Sequence, residues 1–127
     1  MSNPSSLKYV ASHEWVRQED NGELTVGITE HAQDLLGDLV FAELPELGQR
    51  FVAQEECMLL ESVKAASDIY MPVSGEISAI NLDLVDSPEL INQDPFGQGW
   101  LFKIQADNNN DIDALLSEDE YESSLDE

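Results

Sequence analysis

The plainest pattern in the chain is a two-residue alternation. Leu24, Val26 and Ile28 alternate with Glu23, Thr25, Gly27 and Thr29, which predicts a half-buried β-strand. Similar short runs recur. Lys8-Tyr9-Val10 and Glu14-Trp15-Val16 read as strand pieces around Ser12-His13, with His13 in a strand as a packing residue beside Trp15. Asn21-Gly22 marks a turn. Thr29 can cap a helix from Glu30 to Leu36, and Gly37 is placed to end it. Leu39 to Leu44 is the next strand, closed by Pro45 and Gly48, and Glu76 to Ile80 is another. Ser87 as cap, with Pro88 at the first helical position, predicts a helical turn or two. Asp94 to Gly99 is a turn-rich loop, and Trp100, Phe102 and Ile104 lie on one side of a last strand. Asp111 or Asp113 can cap a short helix carrying Ile112, Leu115 and Leu116. Ser117 opens a second helical segment with Tyr121 and Leu125 four apart.

Two apolar runs, Cys57-Met58-Leu59-Leu60 and Ile69-Tyr70-Met71-Pro72-Val73, flank the segment Glu61 to Asp68. They predict a β-hairpin with Lys64 at its tip, although the tip lacks the usual Asn-Gly or Asp-Gly. Ser74-Gly75 breaks the second hairpin strand. Many short strands with little helix between them indicate an all-β sandwich or barrel. Residues 1–127 read as one domain, with a loose start over 1–7 and an acidic, short-helical C-terminal extension over 107–127.

Charge limits the partners the chain can take. The chain holds 27 acidic residues against five basic ones, a formal net charge of −22. Nucleic acid and anionic membrane surfaces both need a basic face, so neither is an expected partner. Hydrophobic residues make up 42% of the chain and fall in strand-like runs, which argues against disorder throughout. Between Asp107 and Glu127 there are nine acidic residues and no basic one, a solvated face or a means of steering partners with basic patches. Met1 to Ser6 has neither a basic n-region nor an apolar h-region, so no secretory signal is expected there. A cytoplasmic bacterial protein is expected, or a mitochondrial matrix protein if this is a processed form. A monomer is expected.

Lys64 is the residue with candidate chemistry. It is one of three lysines, with Lys8 and Lys103 far away in the sequence, and Val63, Ala65 and Ala66 beside it are uncharged. An exposed turn lysine is either a solubilising charge or an acylation target, since an ε-amine on a long flexible stem is readily acylated. Glu61 and Asp68 lie on either side of the tip. They are solvated carboxylates or the groups by which a modifying ligase finds the lysine. Gly75, eleven residues beyond Lys64, is a structural turn glycine or a place of close approach for that ligase. His13 and His31 are the only histidines, and neither has metal-ligand spacing with Cys57, so no metal site is predicted. Cys57 reads as a small buried hydrophobe, and Trp15 and Trp100 as core or rim aromatics.

Taken together, the motifs resemble one family. Ser12-His13-Glu14-Trp15-Val16, Gly27-Ile28-Thr29-Glu30-His31-Ala32-Gln33 and Glu61-Ser62-Val63-Lys64-Ala65 are similar, in order and spacing, to those of the glycine cleavage system H proteins. So are Pro72-Val73-Ser74-Gly75-Glu76, Leu90-Ile91-Asn92 and Gly99-Trp100. The resemblance implies a barrel-sandwich hybrid of two small antiparallel sheets with C-terminal helices. It implies lipoate in amide linkage to Lys64, and a non-catalytic carrier of the aminomethyl group of glycine. The implied partners are a pyridoxal-phosphate glycine decarboxylase, a tetrahydrofolate-dependent aminomethyltransferase and a flavin (FAD) dihydrolipoamide dehydrogenase. A lipoate ligase or a lipoyl/octanoyl transferase would load the lysine. The resemblance also places Ser12, Glu14, His31 and Asp68 near a cleft that receives the loaded arm.

Four rivals stay open. A biotin carrier shares the hairpin but normally flanks its lysine with methionine, where Val63 and Ala65 stand here. A lipoyl domain of a 2-oxoacid dehydrogenase is closer, and a paralogue that relays lipoate without serving glycine cleavage is a further reading. A Schiff-base enzyme would need a desolvated lysine with a depressed pKa, which a turn lysine among acidic residues does not offer.

Overall fold

A computed structural model describes residues 8–10, 13–19, 23–94, 97–108, 115–116, 120–121 and 123, without the side chains of Glu30, His31 and Leu35. Nine strands and three short helices fall within these residues. The strands are β1 (Lys8–Val10), β2 (Glu14–Gln18), β3 (Leu24–Ile28), β4 (Leu39–Glu43), β5 (Arg50–Phe51), β6 (Glu56–Ser62), β7 (Ala66–Tyr70), β8 (Gly75–Ile80) and β9 (Phe102–Ala106). The helices are α1 (Glu30–Leu36), α2 (Asp83–Asp86) and α3 (Leu90–Gln93). One sheet has the order β1-β2-β3-β9-β8-β5 and the other β4-β6-β7, with every pairing antiparallel. This is the mainly β architecture that the resemblance implies, and neither sheet closes on itself.

The α1 limits match the predicted ones, because the caps are written locally. The Thr29 hydroxyl accepts the Ala32 N–H at 3.2 Å, and Gly37, at φ 79°, donates its N–H to Gln33. Elsewhere tertiary structure overrides the local pattern. β3 is buried along its whole length rather than on one face. It lies between β2 and β9, and Trp15 covers Gly27 so closely that a Cβ there would stand 2.5 Å from the indole. His13 is not in a strand. It sits in the turn between β1 and β2 at φ 76°, in the left-handed region. β7 ends at Tyr70, before the predicted Val73, because Pro72 has no N–H to donate and Met71 bonds to Glu55 and Gln54 instead. Ser87 closes α2 with its N–H on Asp83 and offers α3 no side-chain cap. The Asn21-Gly22 turn, the Asp111, Asp113 and Ser117 caps and most of the C-terminal helices lie outside the described residues.

The core fills the space between the sheets, where Val26, Phe102 and Ile104 meet Met58, Leu60 and Met71. A second cluster joins Tyr9, Trp15 and Tyr121, with Tyr9 and Leu116 exchanging backbone hydrogen bonds of 2.8 and 2.9 Å. Cys57 is buried in the main core, and its thiol donates to the Ile69 carbonyl at 3.3 Å. Burial, aided by the charge of Glu14, pushes the thiol up to about 12 from an ordinary 9.0. The folded protein therefore keeps a proton that the unfolded chain loses, so this group reduces stability as pH rises above about 9. Iodoacetamide at pH 8 should leave the folded protein unmodified and alkylate it rapidly in denaturant. Equal rates in the two states, followed by mass spectrometry, would contradict this burial.

Candidate functional site

The β6–β7 hairpin pairs Glu61 with Ala66, which leaves Ser62 to Ala65 as its turn. Ser62 organises that turn. Its N–H donates to the Ala65 carbonyl at 2.7 Å, and its hydroxyl donates to the same oxygen at 3.1 Å. The hydroxyl oxygen also accepts the N–H groups of Lys64 at 3.2 Å and Ala65 at 3.0 Å. A serine side chain thus supplies what Asn-Gly would supply elsewhere.

The turn is also tied to its neighbour. The Val63 N–H donates to the Asp38 carbonyl at 3.0 Å. Asp38 belongs to the α1–β4 link, which Asn92 of α3 clamps from both sides. The Asn92 amide oxygen accepts the Leu39 N–H at 2.8 Å, and its NH₂ donates to the Gly37 carbonyl at 3.0 Å. Lys64 is exposed and makes no ion pair among the described residues. Its stem lies over Gly37, where a Cβ would stand 3.0 Å from the lysine Cε. No cluster of histidine, cysteine or carboxylate side chains among the described residues is arranged to hold a metal ion.

Beside the tip lies a cavity of about 210 Å³. Ile28, Ala32, Leu36 and Ile69 form its apolar lining, Ala66 and Ser67 form the β7 side, and His13 adds an imidazole. Leu36 directly precedes the Gly37 that carries the lysine stem, so one wall of the cavity ends where Lys64 begins. The His13 Nδ1 lies 2.8 Å from the Tyr121 hydroxyl, which also lies 2.8 Å from the Thr29 hydroxyl.

The predicted cleft residues divide. Glu14 is 1% exposed and does not line the cavity, and its charge acts on Cys57 and Tyr121. Asp68 does not line the cavity. Strand alternation turns Ser67 and Ile69 inward and Asp68 outward, where its charge and a hydrogen bond hold the Glu56 carboxyl above its ordinary range. Ser12 and the His31 side chain lie outside the described residues. Glu61 is exposed and shares the outer face of the small sheet with Asp68. Gly75 is buried, and a Cβ there would stand 2.5 Å from the Gln105 carbonyl oxygen, so β8–β9 packing accounts for this glycine. His13, Ser62 and Asn92 belong to the site although the sequence does not mark them as site residues. Ser62 could have been found from serine's habit of bonding nearby backbone in turns, whereas the Asn92 clamp spans the fold.

Comparison with known proteins gives this geometry a context. The family model described as Glycine cleavage H-protein matches residues 7–127. The chain belongs to the glycine cleavage H-protein family. It is 60% identical over 126 residues to the glycine cleavage system H protein of Psychrobacter cryohalolentis, covering 98% of this chain and 100% of the relative. It is 59% identical over 128 residues to that of Pseudoalteromonas translucida, covering 100% and 99%. The crystal structure of the glycine cleavage system H protein from Mycobacterium marinum superposes with a TM-score of 0.87 at 39% identity, covering 98% of this chain and 100% of that one.

The clamp that joins this H-protein chain's α3 to its hairpin is open to test. Asn92→Ala removes two hydrogen bonds to backbone and should cost about 1–3 kcal/mol. Amide exchange at Val63, bonded to Asp38, should accelerate more than exchange in β9. A uniform acceleration across the chain would show that Asn92 supports the fold at large and not the tip.

Proposed function

We propose that Lys64 carries lipoate in amide linkage, and that residues 1–127 serve as one carrier domain of the glycine cleavage system. The observation that carries this reading is an exposed lysine on a hydrogen-bonded turn beside an apolar-lined cavity. The residues suit such a group. An exposed ε-amine is accessible to a loading enzyme, and an apolar wall with a few polar groups suits a hydrocarbon arm with a polar end. When bound, the dithiolane ring supplies the reversible disulfide that accepts the aminomethyl group and is reduced in doing so.

The protein's own part is display, positioning and shelter. Ser62 and Asp38 fix the direction of the tip, so that an enzyme meets Lys64 in one orientation. Ile28, Ala32, Leu36 and Ile69 exclude water from the cavity in which the loaded end rests, and Ser67 offers it a polar contact. Glu61 and Asp68 guide the loading enzyme along the outer face. The partners are a pyridoxal-phosphate glycine decarboxylase, a tetrahydrofolate-dependent aminomethyltransferase and FAD-containing dihydrolipoamide dehydrogenase. A lipoate ligase or lipoyl/octanoyl transferase installs the group, in the cytoplasm. None of these steps asks the chain to act as an enzyme.

Lys64→Arg should keep the fold, since the side chain is exposed, and abolish both the lipoyl mass increment and glycine carboxyl exchange with bicarbonate in the reconstituted system. A lipoyl increment on Lys8 or Lys103, or carboxyl exchange persisting in the variant, would overturn the assignment. Charge makes a second expectation. At −22, encounter with at least one partner enzyme should slow between low and moderate salt. Association rates that stay flat across that range would remove electrostatic steering from the reading.

A further inference from the structure

Tyr121 comes from the C-terminal segment and is buried, stacked on Tyr9 with ring centroids 4.9 Å apart. Its hydroxyl stands between Thr29 and His13, and the directions of the two bonds can be worked out. Thr29 is buried, and its oxygen already accepts the Ala32 N–H that caps α1. Its proton needs an acceptor, and the Tyr121 oxygen is at 2.8 Å. Tyr121 therefore receives one hydrogen bond and has its own proton to give. Burial holds the phenol above its ordinary range, with Glu14 adding to the effect against the Thr29 bond, so that proton is retained. The His13 Nδ1, at 2.8 Å, is placed to accept it.

The backbone of His13 is fixed as well. Its N–H donates to Val10 at 2.8 Å, and its carbonyl accepts the Thr29 N–H at 3.0 Å. The φ of 76° is a conformation most residues avoid, and here it brings the imidazole to the cavity.

We propose that Tyr121 is a positioning residue for this cavity, donating to the Nδ1 of His13 and so holding the imidazole neutral with its proton on Nε2. The proposal rests on the reading of the cavity as the shelter of the loaded arm. That arm ends in an amine that is protonated near neutral pH. An imidazolium in the wall would repel it, whereas a neutral ring does not. A relay that runs from Thr29 through Tyr121 to His13 opposes protonation of the ring at Nδ1, because both hydroxyl protons would have to turn round. The C-terminal segment thereby sets the chemistry of a wall built mostly by α1 and β7.

The test uses Tyr121→Phe, which keeps the stacked ring and removes the hydroxyl. Ring ¹⁵N shifts of His13 in the full-length unlipoylated protein report the tautomer, and formaldehyde release from the loaded protein reports shelter. The parent should show one tautomer with an accepting Nδ1. The variant should show a mixture and release formaldehyde roughly three- to tenfold faster, the size of one buried hydrogen bond. Ser67→Leu, which narrows the cavity from β7, should speed release and leave the His13 spectrum unchanged. If Ser67→Leu has no effect on release, the sheltering reading fails. If Ser67→Leu speeds release while Tyr121→Phe leaves either the tautomer or the release rate unchanged, the role given to Tyr121 fails alone. Should Tyr121→Phe not fold, Thr29→Ala breaks the same relay from its far end and takes the same two measurements.

Discussion

The tip of the β6–β7 hairpin buries almost nothing, so hydrogen bonds have to set its shape. Ordinary hairpin tips tolerate disorder, because nothing depends on where they point. This one presents an exposed lysine, and burying it to make it rigid would hide it. The solution is polar and local. One serine hydroxyl bonds three backbone groups of the turn, and one backbone bond to Asp38 leans the turn on the body. Asn92 carries that support through α3, whose Ile91 is buried in the core. A chain of bonds thus joins the exposed tip to the buried core.

Under the proposed function the cavity answers a second constraint. A carrier's cargo must be accessible inside a partner and protected outside it. The wall is made from elements far apart in sequence, with α1 and β7 giving the apolar sides and the β1–β2 turn giving His13. The link between them is Thr29, which caps α1, accepts nothing from His13's ring directly, and yet touches it through its backbone and through Tyr121.

What could be read from the sequence follows the range of the forces involved. Thr29 and Gly37 act within four residues, so α1 was legible at both ends. The Lys64 hairpin was legible because two apolar runs bracket it. β3 was misjudged because alternation implies one wet face, and only the strand order shows that both faces are covered. α2 escaped because Leu84 is its one buried residue, too little for a period to show. The neighbours of His13 imply a strand, yet tertiary bonds hold it in a conformation its own sequence does not demand. Asp68 was placed at the cleft by resemblance, and the pleat turns it outward. Ser12 and the His31 side chain fall outside the described residues.

The order of the small sheet has one more consequence. β4 and β7 each pair on one side only, so both leave open edges, and open edges invite identical chains to join strand to strand. None of β4, β6 and β7 contains a lysine or arginine, while Glu43, Glu56, Glu61 and Asp68 are all exposed on them. Two copies approaching edge to edge would bring up the like charges of Glu43 on β4 or Asp68 on β7, with Glu56 and Glu61 of β6 one strand behind and no lysine or arginine on these strands to offset them. The acidity of this sheet therefore guards against self-assembly into larger sheets. That guard weakens in acid, where the carboxylates take up protons, beginning with Glu56, which Asp68 already holds above its ordinary range.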